Sequence, residues 1–194
     1  MEEILEKVGM VVHGEIHEVL PTGTPVGESK TIQLEVRSFL SLVLYQGKWE
    51  DDRQKSNCRF CSARIPLPEG VAGKVDMLFT YNSNCLIDIQ VVLNGEVKTH
   101  VRVRDKWYND QSEDPLCIEG ESENLRIGRR RKELIMRCKE LLEKLRNNSS
   151  KDTETVGSLL NKIKSSNEIG ELNIYGSRLA EIEKKLWVVC FQYR

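Results

Sequence analysis

Polar and apolar residues alternate from residue 30 onward. Ile32, Leu34 and Val36 fall on one side of KTIQLEV (30–36), with polar residues between them. That is the period of a half-buried strand. FLSLVLY (39–45) follows directly after Arg37-Ser38 and ends at the turn signal Gln46-Gly47. Beyond the polar loop KWEDDRQKSN a short strand is expected around CRFCSARI. Then come VDMLFTY (75–81), CLIDIQVVL (85–93) and EVKTHVRVR (96–104). The last two flank Asn94-Gly95, and both turn residues tolerate positive φ, which marks a hairpin. Short strands this closely spaced predict an antiparallel β-sandwich over residues 1–108.

The segment IPLPEGVAGK (65–74) interrupts this pattern. Pro66 and Pro68 cannot donate ladder hydrogen bonds, and each fixes φ near −65°. Ile65 and Leu67, which precede them, are pushed to extended conformations. A stiff connection from one sheet to the other is expected, with Gly70 and Gly73 supplying the bends at its end. Val75, Met77 and Phe79 then share one face, with Leu78 and Thr80 on the other.

Residues 109–123, NDQSEDPLCIEGESE, carry six acids and no base, which predicts a solvated acidic linker. Over 124–194 the period changes to that of helices. Leu134, Cys138, Leu141 and Leu145 make one stripe, Val156, Leu159, Leu160 and Ile163 a second, and Leu179, Ile182, Leu186 and Val189 a third. Three such helices can pack as a small bundle. The fold class is therefore α+β: an antiparallel sandwich followed by an α-helical, lid-like subdomain.

The totals narrow the function classes. Net charge is −1 over 194 residues, so there is no global bias toward nucleic acid or acidic membranes. No apolar run approaches the ~20 residues of a membrane span, and the acidic start MEEILEKVG lacks a signal-peptide core. Of the six cysteines only Cys58 and Cys61 are close, and no second pair matches them for a zinc site. Reduced thiols in a cytoplasmic compartment are expected. His13, His17 and His100 form no acid–base–nucleophile set with other residues, so no enzyme and no metal site is expected.

The order of motifs resembles one family. VLYQG (43–47), a polar loop to Phe60, IPLPEG (65–70), KVDMLFTY (74–81) and NSNCLIDIQV (82–91) are similar to the peptide-binding sandwich of heat shock protein 70 chaperones of the DnaK type. The resemblance spans roughly residues 9–104. It implies a module that binds unfolded or extended apolar polypeptide segments under a helical lid. It further implies partners in an ATPase domain and co-chaperones. ATP would act only through that ATPase domain, which this chain does not contain, so no cofactor is expected here. Counted back from Tyr45-Gln46-Gly47, the resemblance puts Leu40 and Leu42 on the pocket-lining strand. Ile32 and Leu34 would contribute from the preceding strand, and Val8 and Met10 from the first.

Periodicity alone reads each of these six as sandwich core. One feature points the other way: FLSLVLY is apolar on both faces, and Phe39, Leu40, Leu42, Val43, Leu44 and Tyr45 cannot all face one core. The alternative reading is a structural or assembly protein, viral in type, that oligomerises or contacts nucleic acid through its basic helices. Its basis is Arg129-Arg130-Arg131-Lys132, within a stretch (125–146) of nine basic and three acidic residues. No aromatic residue lies among these charges to stack on a base, so nucleic acid is the less expected partner.

Overall fold

The computed structural model describes residues 3–52, 55–83, 85–105, 114–146 and 150–192, without the side chains of residues 56, 57, 150 and 187–192. The chain divides into two compact units. The first comprises residues 1–109 and 115–120, the second 110–114 and 121–194.

The first unit is a sandwich of two antiparallel sheets. β1 (Val8–Val12), β2 (Glu15–Leu20), β4 (Phe39–Gln46) and β5 (Arg59–Pro66) form one sheet in the order β2-β1-β4-β5. β3 (Ser29–Val36), β6 (Gly73–Asn82), β7 (Leu86–Leu93), β8 (Glu96–Arg104) and β9 (Leu116–Ile118) form the other in that order. A single turn, α1 (Lys55–Cys58), precedes β5.

Alternation in the sequence becomes alternation in burial. In β6, Val75, Met77, Phe79 and Tyr81 are buried while Asp76, Leu78 and Thr80 are only partly covered. In β7, Ile87, Ile89 and Val91 are buried, and in β8, Val101 and Val103. One cluster joins these to Val8, Met10, Leu40, Leu42, Leu44 and Ile65 of the opposite sheet. Each such side chain contributes about 1.5–3 kcal/mol on leaving water.

The proline segment crosses between the sheets as expected, since β5 and β6 lie in different ones. Leu67 N–H donates to Ser38 O at 3.2 Å, and Val71 N–H to Pro68 O at 3.1 Å, which pins the crossing. Gly70 and Gly73 take φ of +83° and +92° at its end. The Asn94-Gly95 hairpin has φ of +54° and +80°. That is the double positive φ of a type I′ turn.

The stretch 109–123 departs from the expected solvated linker. Leu116–Ile118 is a strand: Val101 pairs with Ile118, Arg102 with Cys117 and Val103 with Leu116. The exposed edge of β8 supplies hydrogen-bond partners, and the core gains Leu116. Part of the stretch, 109–113, lies outside the described residues.

The second unit contains α2 (Glu123–Leu145), α3 (Ser150–Ser165) and α4 (Ile169–Gln192). The Ser122 hydroxyl caps α2 by accepting from Leu125 N–H at 3.4 Å. Leu134, Cys138, Leu141 and Leu145 are buried with Val156, Leu159, Ile163, Leu179 and Ile182, so the three apolar stripes meet in one cluster. Leu160 and Leu186 pack partly buried against it. The Val189 side chain lies outside the described residues.

Candidate functional site

Of the six residues singled out in the sequence, four belong to the buried sandwich core and two pack against it. Val8, Met10, Leu40 and Leu42 are at most 1% exposed, and Ile32 and Leu34 are partly buried against the same cluster. The protein's own packing therefore covers Val8, Met10, Leu40 and Leu42, and leaves Ile32 and Leu34 partly accessible. The reason lies in the pleat. Leu40 pairs with Ile65 and Met10 with Leu44, which turns Leu40, Leu42 and Leu44 inward together.

The outward flank of β4 is different. It carries Phe39, Ser41, Val43 and Tyr45. Phe39 is exposed, and Val43 and Tyr45 are only partly covered. Next to Tyr45 across the pairing stands Gly9 of β1. A Cβ built on Gly9 would come within 2.6 Å of Ile16 Cγ2 and 3.1 Å of the Trp49 ring, so the ring crosses the strand where a side chain is missing. Trp49 is buried without belonging to the core cluster. Ile16 faces Val11 on the neighbouring strands, and both are half-buried.

Two cations cover aromatic faces. Lys7 Nζ lies 4.4 Å from the Trp49 ring centre and pairs with Glu50, whose carboxyl it holds below the usual range chiefly through their hydrogen bond. The Arg64 guanidinium lies 3.6 Å over the Phe39 ring. The flank as a whole is an apolar strip on an exposed sheet face, rimmed on β5 by Arg59 and Arg64. The sequence shows its double-sided apolarity, and the residues singled out there lie on the side that the sandwich buries. The missed signal was Gly9 inside the strand VGMVV, since a glycine there marks a close approach.

The outward face of the other sheet is polar. His100 Nε2 lies 2.9 Å from Asp88 Oδ1, and Nδ1 lies 3.2 Å from Glu119 Oε2. Asp88 also contacts Arg102 at 3.6 Å and Asn82. Both ring nitrogens face carboxylates. Among the described residues no group of three or more His, Cys, Asp or Glu could hold a metal ion. Cys58, Cys61 and Cys138 are buried, and Cys117 is exposed. Burial pushes the Cys138 thiol up to about 11.

The basic run is engaged within its own unit. Arg129 forks onto two carboxylates: Nε and Nη2 reach Glu121 at 2.8 and 2.9 Å, and Nη1 and Nη2 reach Asp114 at 3.2 and 2.8 Å. Burial opposes its charge, but Glu121 and Asp114 outweigh burial and hold the guanidinium above the usual arginine range. Arg130 is 1% exposed and bonds Glu133 at 2.8 Å. Arg131 donates to Ser166 O at 2.7 Å and to Asn167 Oδ1 at 2.8 Å. Three of the four cations therefore serve the helical unit itself.

Among the described residues no helix is long and apolar enough to cross a membrane. No family model matches the chain. No curated protein matches it either.

Proposed function

We propose that this chain binds unfolded or extended apolar polypeptide segments, as the peptide-binding portion of a heat shock protein 70-like chaperone in the cytoplasm. An ATPase domain and co-chaperones would be its partners, and its role is binding rather than catalysis. The observation that carries the reading is the outward row of β4. Phe39, Val43 and Tyr45 add apolar surface that the sandwich core does not use. The order of elements also supports it. A strand ending at Gln46-Gly47, a loop, a strand closed by Pro66, a crossing, and the β6–β7 pair follow the motif order of the resemblance.

The energetics suit a weak, reversible grip. One Leu-sized side chain leaving water gives about 1.5–3 kcal/mol, and a few backbone hydrogen bonds give about 1 kcal/mol each. Ordering the peptide offsets part of this, which leaves affinity on the order of micromolar. The test is fluorescence anisotropy with a labelled heptapeptide bearing central leucines. Val43→Asp is expected to abolish binding while the circular dichroism spectrum stays native. Leu42→Asp serves as the unfolding control, because Leu42 is core. Indifference to Val43→Asp would remove the β4 flank as the site. The assembly reading predicts instead a stable oligomer with salt-sensitive RNA binding and no peptide affinity, read by light scattering with and without RNA.

A further inference from the structure

We propose that Arg64 receives a side-chain carboxylate of the bound peptide, so that the outward flank of β4 prefers segments with two apolar residues at alternate positions and an Asp or Glu at the next alternate position. This rests on the reading of the outward β4 row as the peptide site, and it names the class of segment taken there.

The outward row of β4 runs Phe39, Ser41, Val43, Tyr45. Arg64 stands on β5 directly across from Ser41, so it flanks this row one strand away. Phe39 is 37% exposed, and the Arg64 guanidinium lies 3.6 Å from its ring centre. That is the separation of flat groups stacked face to face. Stacking uses the face of the guanidinium and leaves its N–H edge, where a carboxylate can accept two parallel hydrogen bonds.

Arg64 keeps different company from the other arginines. Arg102, Arg126, Arg129, Arg130 and Arg137 each reach a carboxylate of this chain. Arg64 is exposed and rests on an aromatic ring, and among the described residues no carboxylate pairs with it. An exposed ring holds a cation weakly. The guanidinium can therefore slide toward an incoming carboxylate and uncover Phe39 for apolar side chains of the peptide. At the other end of the flank, Lys7 is already paired with Glu50. A nucleic-acid backbone draws on a row of cations, whereas one peptide carboxylate needs a single arginine.

Spacing turns this into a pattern. Alternate residues of a strand repeat about every 6.6 Å, and an extended peptide lying along β4 has the same repeat. Apolar side chains at alternate positions over Tyr45 and Val43 bring the next alternate position over Ser41, beside Arg64. A residue one place nearer points away from the sheet.

The experiment uses the full chain and labelled heptapeptides blocked at both ends. Ser-Leu-Ser-Leu-Ser-Glu-Ser and its reverse sequence are titrated first, and the tighter order is carried forward. It is then compared with the same peptide bearing Gln or Lys for Glu, and with Glu moved one residue toward the leucines. Exposed ion pairs are worth about 1.5- to 5-fold, so the Glu peptide is expected to bind about two- to fivefold tighter than the Gln peptide, and the Lys peptide weakest. Added salt should shrink the preference, and moving Glu by one residue should remove it. Arg64→Gln should erase it and Arg64→Glu should turn it toward Lys; the two variants together cover the case in which one misfolds. Equal binding of the Glu and Gln peptides, or a preference that survives Arg64→Gln, overturns the role of Arg64 and leaves peptide binding standing. A gain from an unblocked C-terminus on the Gln peptide, without one from the Glu side chain, also overturns it, because Arg64 would then read chain ends. Binding of none of these, nor of the leucine-centred peptide, overturns both.

Discussion

Gly9 offers the sharpest test of how the outer face of the first sheet is built. Its φ is not in the left-handed region, so the backbone does not require glycine there. Space does. A methyl group at Gly9 would stand 2.6 Å from Ile16 Cγ2, closer than real Cβ contacts allow, and 3.1 Å from the Trp49 ring. In an unobstructed strand, Gly→Ala would stabilise by roughly 0.5–1 kcal/mol. Forcing a methyl group into filled space costs about 1–3 kcal/mol. Gly9→Ala is therefore expected to destabilise the sandwich by about 1–2 kcal/mol.

The sign should change when the obstacle is removed. Ile16→Ala deletes the Cγ2 atom and costs about 1 kcal/mol on its own, as a half-buried side chain on an edge strand. In that background the nearest atoms left to Gly9→Ala are those of the Trp49 ring at 3.1 Å, which needs to give by a few tenths of an ångström. The second substitution should then be neutral or stabilising by about 0.5 kcal/mol, for a coupling of about 2 kcal/mol. Urea denaturation of the four proteins measures this, with an unchanged m value required for a fair comparison. Additive effects, or a harmless Gly9→Ala in the wild type, would show that Ile16 and Trp49 do not lie over β1 as described.

Two other changes probe the helical unit. Arg129→Lys should cost about 2 kcal/mol, measured by thermal or urea unfolding, because an ammonium cannot serve two carboxylates in forked fashion and leaves the buried Asp114 under-bonded; a cost under about 0.5 kcal/mol would contradict the geometry. Cys138 should resist a thiol reagent until the protein unfolds, while Cys117 reacts at once. Because the folded thiol is pushed from 9.0 up to about 11, the unfolded chain loses its proton first, and stability should fall as pH rises through that window. A flat profile there in the wild type, or the same decline in Cys138→Ala, would refute the assignment.

Much of this fold is written in local alternation. β3, β4, β6, β7 and β8 each announce themselves by period, and Pro66, Pro68, Gly70 and Gly73 announce the crossing between sheets. β9 does not. Leu116-Cys117-Ile118 is three residues among acids, too short for a period, and it is a strand only because β8 offers an edge. The β1–β2 hairpin is equally hidden, since its turn puts His13 at φ +52° before Gly14, a conformation histidine seldom adopts. The basic run misleads for a related reason. Arg130 is buried close against Gly176 of α4, where an added Cβ would lie 2.5 Å from its Nη2, and nothing within the run itself signals that.

The candidate site shows the same division. FLSLVLY reveals that both faces of β4 are apolar, but its period does not say which face meets the core. That choice belongs to the pairing of Leu40 with Ile65 and Leu44 with Met10, contacts across 25 and 34 positions of sequence (65 − 40 and 44 − 10). Once the leucines turn inward, Phe39, Val43 and Tyr45 must turn outward, and that apolarity has to be managed. Lys7 over Trp49 and Arg64 over Phe39 do this by laying alkyl stems and charge across aromatic faces. Such covers are held by contacts worth about 0.5–1 kcal/mol at exposed sites. On the proposed peptide-binding reading, they are weak enough for an incoming chain to displace.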